Sequence, residues 1–404
     1  MSISRILEWI TLGTAFLMPL LFWPPSPQPF STAKEWLLAI WVLAGFAIGG
    51  AGGLMRKKLP ARALIAMAIW ILALSLSAGT GDESSIRELV RYLLPCAGFL
   101  LLLWMEMRPQ RFVLTLTCSG TLVALVALLQ FAQLDPFMLL NLTGSVQGSS
   151  RIRIFSTLGN PNFVAAVLTA ILPLTLCGMR SGECAFPRTR RVVQICAVLI
   201  QAAAIVATGS RAPILGFAAA GIWLLFRKAQ FRVPYILLGL AVSAILISFS
   251  PGRTLEKTIA GRFYIWRITE AHIAEVPLAG YGPGAFPLQF VQWETDYIRK
   301  SGENADRSLS GFQDHAHNDY MEIFVDYGIL GLLAFFIFIG LLTKPLLRHG
   351  RQPPLENGIA ASIIALLAIA VVDFPLHRPT ELYLFWTQLA LIYILEERLL
   401  LSRS

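Results

Sequence analysis

Of the 404 residues, 56% are hydrophobic and 14% charged, and the mean hydropathy is +0.64. A soluble chain carries roughly 25% charged residues, so this composition excludes a soluble globular enzyme and calls for an integral membrane protein. The formal net charge of +9 would suit nucleic acid. Its Lys and Arg are spread over short loops, however, which fits anionic lipid headgroups rather than a nucleic-acid partner.

The apolar residues come in blocks of about 17 to 24, each long enough to cross roughly 30 Å of hydrocarbon as a helix. Twelve spans are predicted, near residues 5–24, 36–54, 63–79, 89–105, 112–134, 160–179, 192–208, 212–226, 233–249, 319–342, 358–373 and 382–395. The first block carries Glu8, lacks a small-x-small cleavage site and leads straight into another span, so it reads as a membrane helix rather than a secretion signal. The expected fold class is therefore an all-α polytopic membrane protein with one domain over residues 1–404. Cys96, Cys118, Cys177, Cys184 and Cys196 contain no C-x-x-C pair and imply neither a disulfide framework nor a zinc site.

Lys and Arg accumulate on the cytoplasmic side of short loops. With the N-terminus inside, nineteen of them fall in cytoplasmic segments and seven in short outward ones, so both termini are expected in the cytoplasm. The longest outward segment, residues 250–318, contains "GRFYIWRITEAHIAEVPLAGYGPGAF". Phe263, Trp266 and Ile273 recur there at helical spacing among Arg262, Arg267 and Glu270, which predicts an amphipathic helix on the membrane surface, ending at Pro277. Gly280, Gly282 and Gly284 then read as a turn returning the chain to the bilayer rather than as a phosphate-binding loop, because no strand precedes them.

Three polar groups gather on the outward side. In "TGSRAPILGF", Ser210 and Arg211 interrupt a run that is otherwise apolar from Val192 to Phe226. Arg211 either snorkels to headgroups or binds a ligand at the interface. Arg262 and Arg267 are five residues apart and so lie on different faces of a helix; one is free for substrate while the other can pair with Glu270 or with headgroups. In "GFQDHAHNDYMEIFVDYGILGLLAFF", His315 and His317 stand at the lip of the tenth span. Such a pair could bind a metal if further ligands joined it, cap the helix, or remove a proton from a hydroxyl with Asp314 or Asp319 orienting the ring. His272 and His377 have no motif linking them to the pair, so no metal and no cofactor is expected. Forked, always-charged guanidinium groups suit phosphate oxygens and imidazole suits a general base. Together these groups suggest transfer from a lipid diphosphate donor to a hydroxyl. A lipid-linked sugar transporter is the reading from a different class; it predicts charges at the bilayer midplane, and only Asp326 answers to that.

"FSTLGNPNFVAAVLTAILPL", "TGSRAPILGF", "GRFYIWRITEAHIAEVPLAGYGPGAF" and "HAHNDYMEIFVDYGILGLL" resemble, in this order along the chain, the motifs of the bacterial O-antigen ligase and polymerase superfamily, over about residues 150 to 395. The closing "DFPLHRPTELYLFWTQLAL" is also similar to some members. The resemblance implies a GT-C-type, metal-independent glycosyltransferase of the bacterial inner membrane, with its active site at the periplasmic face. Its partners would be an undecaprenyl-diphosphate-linked glycan donor, membrane lipids and an acceptor. That acceptor is lipid A-core for a ligase acting in lipopolysaccharide biosynthesis, a second lipid-linked glycan for a polymerase, or a protein hydroxyl for an O-oligosaccharyltransferase; the ligase is the favoured reading. Carried over by motif, Arg211 and Arg262 would bind diphosphate and His317 would be the base, followed by His315, Asn160, Asn162 and Arg267.

Overall fold

The computed structural model describes residues 2–53, 57–77, 83–105, 107–139, 154–178, 187–229, 231–248, 255–301, 310–311, 313–347 and 353–401. Among them there are helices and no strand. The first part of the chain forms α1 (Ile3–Leu17), α2 (Thr32–Ala51), α3 (Ala61–Ser77), α4 (Glu83–Trp104), α5 (Pro109–Phe131) and the single turn α6 (Pro136–Leu139). Then come α7 (Pro161–Gly178), α8 (Pro187–Thr208), α9 (Ala212–Phe226), α10 (Arg232–Ser248), α11 (Leu255–Ala271) and α12 (Phe286–Ser301). The chain closes with α13 (Asp319–Thr343), α14 (Pro354–Ile369) and α15 (Pro379–Leu401).

Every one of the twelve expected spans is helical. Five stretches are long and apolar enough to cross a membrane: Thr32–Ala51, Pro109–Phe131, Pro161–Gly178, Arg191–Thr208 and Asp319–Leu347. Helices α3, α9, α10 and α14 are apolar but shorter. This is a multi-pass membrane protein. Proline opens α5, α7, α8, α14 and α15, where its missing N–H is one of the unpaired donors of the first turn and its fixed φ already suits a helix. The expected ends are less accurate: the first helix stops at Leu17 rather than near residue 24, and α4 begins at Glu83 rather than near 89.

Helix α7 is the centre of the bundle, buried without a break from Val164 to Cys177, and α14, α8 and α5 pack around it. Lipid gives helices no hydrophobic reason to associate, so close backbone approach has to do it. Small residues allow that here. A Cβ on Gly358 of α14 would stand 2.5 Å from Cys177 Sγ of α7, and Ser362 Oγ donates to the Ala170 carbonyl across the same seam.

The 250–318 segment differs from expectation in two ways. Helix α11, expected to be amphipathic, ends at Ala271, before Pro277, and a second helix, α12, follows the glycine turn. Tyr264, Ile265 and Ile268 of α11, Phe286, Phe290 and Trp293 of α12, Ala316 and Val325 form a small core of their own. It joins α11 and α12 to the start of α13.

The glycine turn does not simply return the chain to the bilayer; it docks into a break in α13. Gly328 has φ 67° and ψ −172° inside that helix, and the turn fills the gap. Tyr281 N–H donates to Val325 O at 3.0 Å, Gly282 N–H to Asp326 O at 2.9 Å, and Leu330 N–H to Leu278 O at 3.2 Å. The Asp326 carboxylate accepts from Gly284 N–H at 2.8 Å and Phe286 N–H at 3.0 Å, so it caps the start of α12. Asp326 is thus a structural partner of the turn, and a charge at the midplane of a transport path is not needed to explain it.

Candidate functional site

Asn318 is the N-cap of α13, its Oδ1 accepting from Met321 N–H at 3.1 Å. The capping role is therefore taken by the asparagine, and neither histidine is used up by it. His317 sits at φ 50°, in the left-handed region that costs a non-glycine residue about 1–2 kcal/mol. Strain of this kind persists where neighbours hold it and collects at functional sites. Here Trp266 Nε1–H of α11 donates to the Ala316 carbonyl at 2.9 Å, and Ala316 N–H donates to Glu322 Oε2 at 3.1 Å. The residue between the two histidines is thus gripped from both sides.

The carboxylates beside the rings are not those expected. Asp314 is exposed, and Asp319 turns away to His377. His315 Nδ1 instead lies 2.8 Å from Glu322 Oε1, and His317 Nδ1 lies 3.6 Å from Asp373 Oδ1. The latter is an ion-pair separation rather than a hydrogen bond, and such contacts commonly tighten when substrate arrives. Asp373 is buried in the loop 370–378 between α14 and α15, where its Oδ2 accepts from the Arg378 guanidinium at 3.0 Å. Burial alone would raise its pKa, but Arg378, His317 and Arg262 together hold it below the usual carboxylate range. Arg378 is buried too, 3.0 Å from Glu381 Oε1, with its guanidinium carbon 4.1 Å from the Phe163 ring centroid and 5.0 Å from that of Phe374. Phe374 in turn stacks on His315 at 4.0 Å and meets the edge of His317 at 5.2 Å.

The same loop gathers the other candidates. Arg211 is the N-cap residue of α9. Ala212, directly after it, packs with Ala166 and Ile369 against Val372, the neighbour of Asp373. Among the described residues the half-buried Arg211 side chain has no ion pair, and the buried Ser210 Oγ has no hydrogen-bond partner. Arg262 is half-buried one turn before Trp266, close enough to Asp373 to lower its pKa, whereas Arg267 is exposed on another face and makes no ion pair with Glu270. Arg262, His315 and His317 therefore meet one loop, Arg211 is next in sequence to a residue that packs against it, and Arg267 is exposed on another face. Asn160 Oδ1 accepts from Asn162 N–H at 2.9 Å at the start of α7, which gives it a capping role, and both residues are half-buried. The turn before them is fastened by Gln130, whose Oε1 accepts from Phe155 N–H at 3.0 Å and Ser156 N–H at 2.7 Å. Buried Lys34 holds the same turn through the Thr157 carbonyl at 2.9 Å.

Residues 196–336 match the family described as O-antigen ligase. That stretch is similar to O-antigen ligases. It contains Arg211, Arg262, Arg267, His315 and His317 and stops before loop 370–378. No curated protein matches the chain.

The O-antigen ligase stretch thus contains both histidines but not Asp373, which faces one of them, nor His377, which sits behind the other. Sequence reading missed Asp373, His377, Arg378 and Glu381. Their signal was present: four ionisable residues crowd the run 373–381 of a chain that is largely apolar there. The same reading left His377 unlinked to the H-x-H pair, yet the two rings of His315 and His377 lie 5.5 Å apart. His315, Glu322 and His377 are a group of residue types that could hold a metal, with one ligand atom from each within 4.8 Å of the others. His315 Nδ1 and Glu322 Oε1, however, are already at hydrogen-bond distance.

Proposed function

We propose that the protein is a membrane glycosyltransferase that moves a glycan from an undecaprenyl diphosphate carrier to an acceptor hydroxyl, with lipid A-core as the favoured acceptor. The observation that carries this reading is the pair of His317 and Asp373 at 3.6 Å, standing where the starts of α9 and α13 meet loop 370–378. In the reaction the acceptor oxygen bonds to the anomeric carbon of the donor sugar while the bond from that carbon to the diphosphate oxygen breaks. His317 takes the hydroxyl proton, and the diphosphate leaves with both electrons of the broken bond. With Nδ1–H turned to Asp373, the remaining lone pair of His317 is on Nε2, the atom that accepts the proton. Arg211, which no protein group pairs among the described residues, and Arg262 supply charge for the leaving diphosphate. A buried Ser210 hydroxyl beside Arg211 adds a donor of the same kind. Metal is not required by this scheme, because two guanidinium groups supply the counter-charge. The bacterial inner membrane, with the site on its periplasmic face and both termini cytoplasmic, is the setting in which donor and acceptor would meet.

The test is transfer by the purified full-length protein in lipid nanodiscs, given a lipid-diphosphate-linked glycan with lipid A-core, a second donor molecule or a candidate protein. Elongated lipid A-core is the expected product; elongation of a second donor would make the protein a polymerase, and of the protein an O-oligosaccharyltransferase. His317→Ala is expected to lose transfer while donor binding persists, and full turnover in that variant removes His317 as the base. Activity abolished by chelator and restored by zinc or magnesium would overturn the metal-free scheme.

A further inference from the structure

Behind His315 lies a buried polar group that the scheme above does not use. His377 stands in the short helical turn 375–377, with Nδ1 2.6 Å from Asp319 Oδ1 and Nε2 2.8 Å from the Tyr92 hydroxyl of α4. The same Nε2 lies 3.4 Å from Glu322 Oε1, the oxygen that meets His315 Nδ1 at 2.8 Å. Asp319 Oδ2 accepts from Leu376 N–H at 2.9 Å, and Glu322 Oε2 accepts from Ala316 N–H, so both carboxylates are fully used. Two side-chain carboxyl groups are buried here, and burying charge is costly unless an opposite charge is hydrogen-bonded to it.

We propose that His377 is a positioning residue: clamped by Asp319 and Tyr92, it steadies Glu322, which fixes His315 through its Nδ1 and leaves Nε2 of His315 as the free ring nitrogen on the reactive side of the loop. The proposal rests on the functional reading above only in its kinetic part. Nδ1 of His377 faces a carboxylate, and Nε2 faces the Tyr92 hydroxyl, which can donate or accept, with Glu322 Oε1 beyond it at 3.4 Å, so the ring is held on both sides and an imidazolium would donate to each. Burial lowers its pKa, but Glu322 and Asp319, with Glu88 of α4 adding to them, raise it from 6.5 to about 10. Tyr92 and Glu88 from α4, Asp319, Glu322 and, further off, Asp326 from α13, and His315 from the loop are the titratable groups that face it. A proton on His377 therefore does what a metal ion would otherwise have to do. Two ligands of one tetrahedral zinc at about 2.0–2.1 Å stand roughly 3.3 Å apart, so the 2.8 Å between His315 Nδ1 and Glu322 Oε1 is a hydrogen bond and not an edge of a zinc site.

The effect reaches His317 through Phe374, which stacks on the His315 ring, lies 5.0 Å from the Arg378 guanidinium carbon and meets His317 at its edge. The test uses full-length protein in nanodiscs with 15N-labelled histidine. In the wild type, the His377 ring is expected to carry protons on both nitrogens at pH 7.5, and neutral His315 to carry its proton on Nδ1. His377→Gln should turn His315 into a mixture of tautomers and lower kcat about tenfold, the worth of one charge-assisted hydrogen bond, while donor KM stays within about twofold. Tyr92→Phe keeps the ring and should shift the same signals in the same direction by less. An unchanged His315 spectrum in His377→Gln, a singly protonated His377 in the wild type, or one zinc bound per purified chain overturns the proposal. If His377→Gln does not fold, the wild-type spectrum and the metal content decide alone. If no donor is turned over by the wild type, the functional reading fails while the spectra still judge the positioning.

Discussion

Gly280→Ala is expected to be among the most damaging single-methyl changes in the protein, because it combines backbone strain with a clash that no side chain can relieve. Gly280 has φ 78°, and a Cβ there would sit 2.2 Å from the Asp326 carbonyl oxygen and 2.5 Å from Gly328 N, where ordinary contact begins at 3.4 Å. The conformation costs alanine about 1 kcal/mol, overpacking against backbone a further 1–3, and loss of the two hydrogen bonds from Tyr281 and Gly282 about 1 each, for roughly 4–6 kcal/mol in all. Two other glycines separate the components. Gly209 has φ 64° with nothing within 4 Å of its Cβ, so Gly209→Ala measures strain alone, about 1 kcal/mol. Gly261 lies in α11 with open space around it and an ordinary helical backbone, so Gly261→Ala should stabilise by roughly 0.5–1 kcal/mol. Unfolding in mixed detergent micelles, followed by tryptophan fluorescence, should rank Gly261→Ala above wild type, then Gly209→Ala, then Gly280→Ala. If Gly280→Ala and Gly209→Ala unfold together, the turn is not seated in the break of α13 and the account of Asp326 as its cap falls with it.

Three further outcomes are expected. Asp373→Asn, which keeps shape but not charge behind His317, should lower kcat about a hundredfold with little change in donor KM, measured by single-turnover transfer; unaltered kcat would separate Asp373 from the base. Arg211→Lys keeps charge but loses the fork, so donor KM should rise about tenfold while kcat holds, and an unchanged KM removes Arg211 from the diphosphate contact. His377 has a folded-state pKa raised from 6.5 to about 10, so its contribution to stability is fully present below pH 6.5 and is lost as pH rises through about 10. The stability gap between wild type and His377→Gln should accordingly be widest at pH 6 and close by pH 10; a gap that is flat across that range would mean the ring is neutral.

The helices were legible because each apolar block is long and its ends carry proline or charge, and these are local properties. Helix α12 was not: it offers only Phe286, Phe290 and Trp293 to a small core and turns polar residues outward, so it lacks an apolar block long enough to register. Among the candidate residues, Arg211, Arg262 and His317 stood out as charges interrupting apolar runs, and the fold brings Arg262 and His317 to a common loop, with Arg211 next in sequence to a residue that packs against it. Asn160 stood out for its motif, yet its side chain has a local partner one turn into α7. The partners of the histidines could not be read, because Glu322 and Asp373 reach the rings through loop geometry and one of them comes from the far side of two helices. Asp326 resisted for the same reason: its hydrogen bonds run to backbone N–H groups some forty residues earlier, and backbone leaves no trace in residue type.

Loop 370–378 also bears on how the chain can be divided. A fragment ending at residue 336 retains the whole stretch similar to O-antigen ligases, with both histidines and the arginines of α9 and α11. It loses the anion facing His317, the imidazolium behind Glu322 and the ring that stacks on His315. The boundary drawn by similarity therefore runs through the proposed site, and the last two helices act as its lock: two coexpressed pieces, cut between α13 and α14, would have to reassemble before the proposed site is whole.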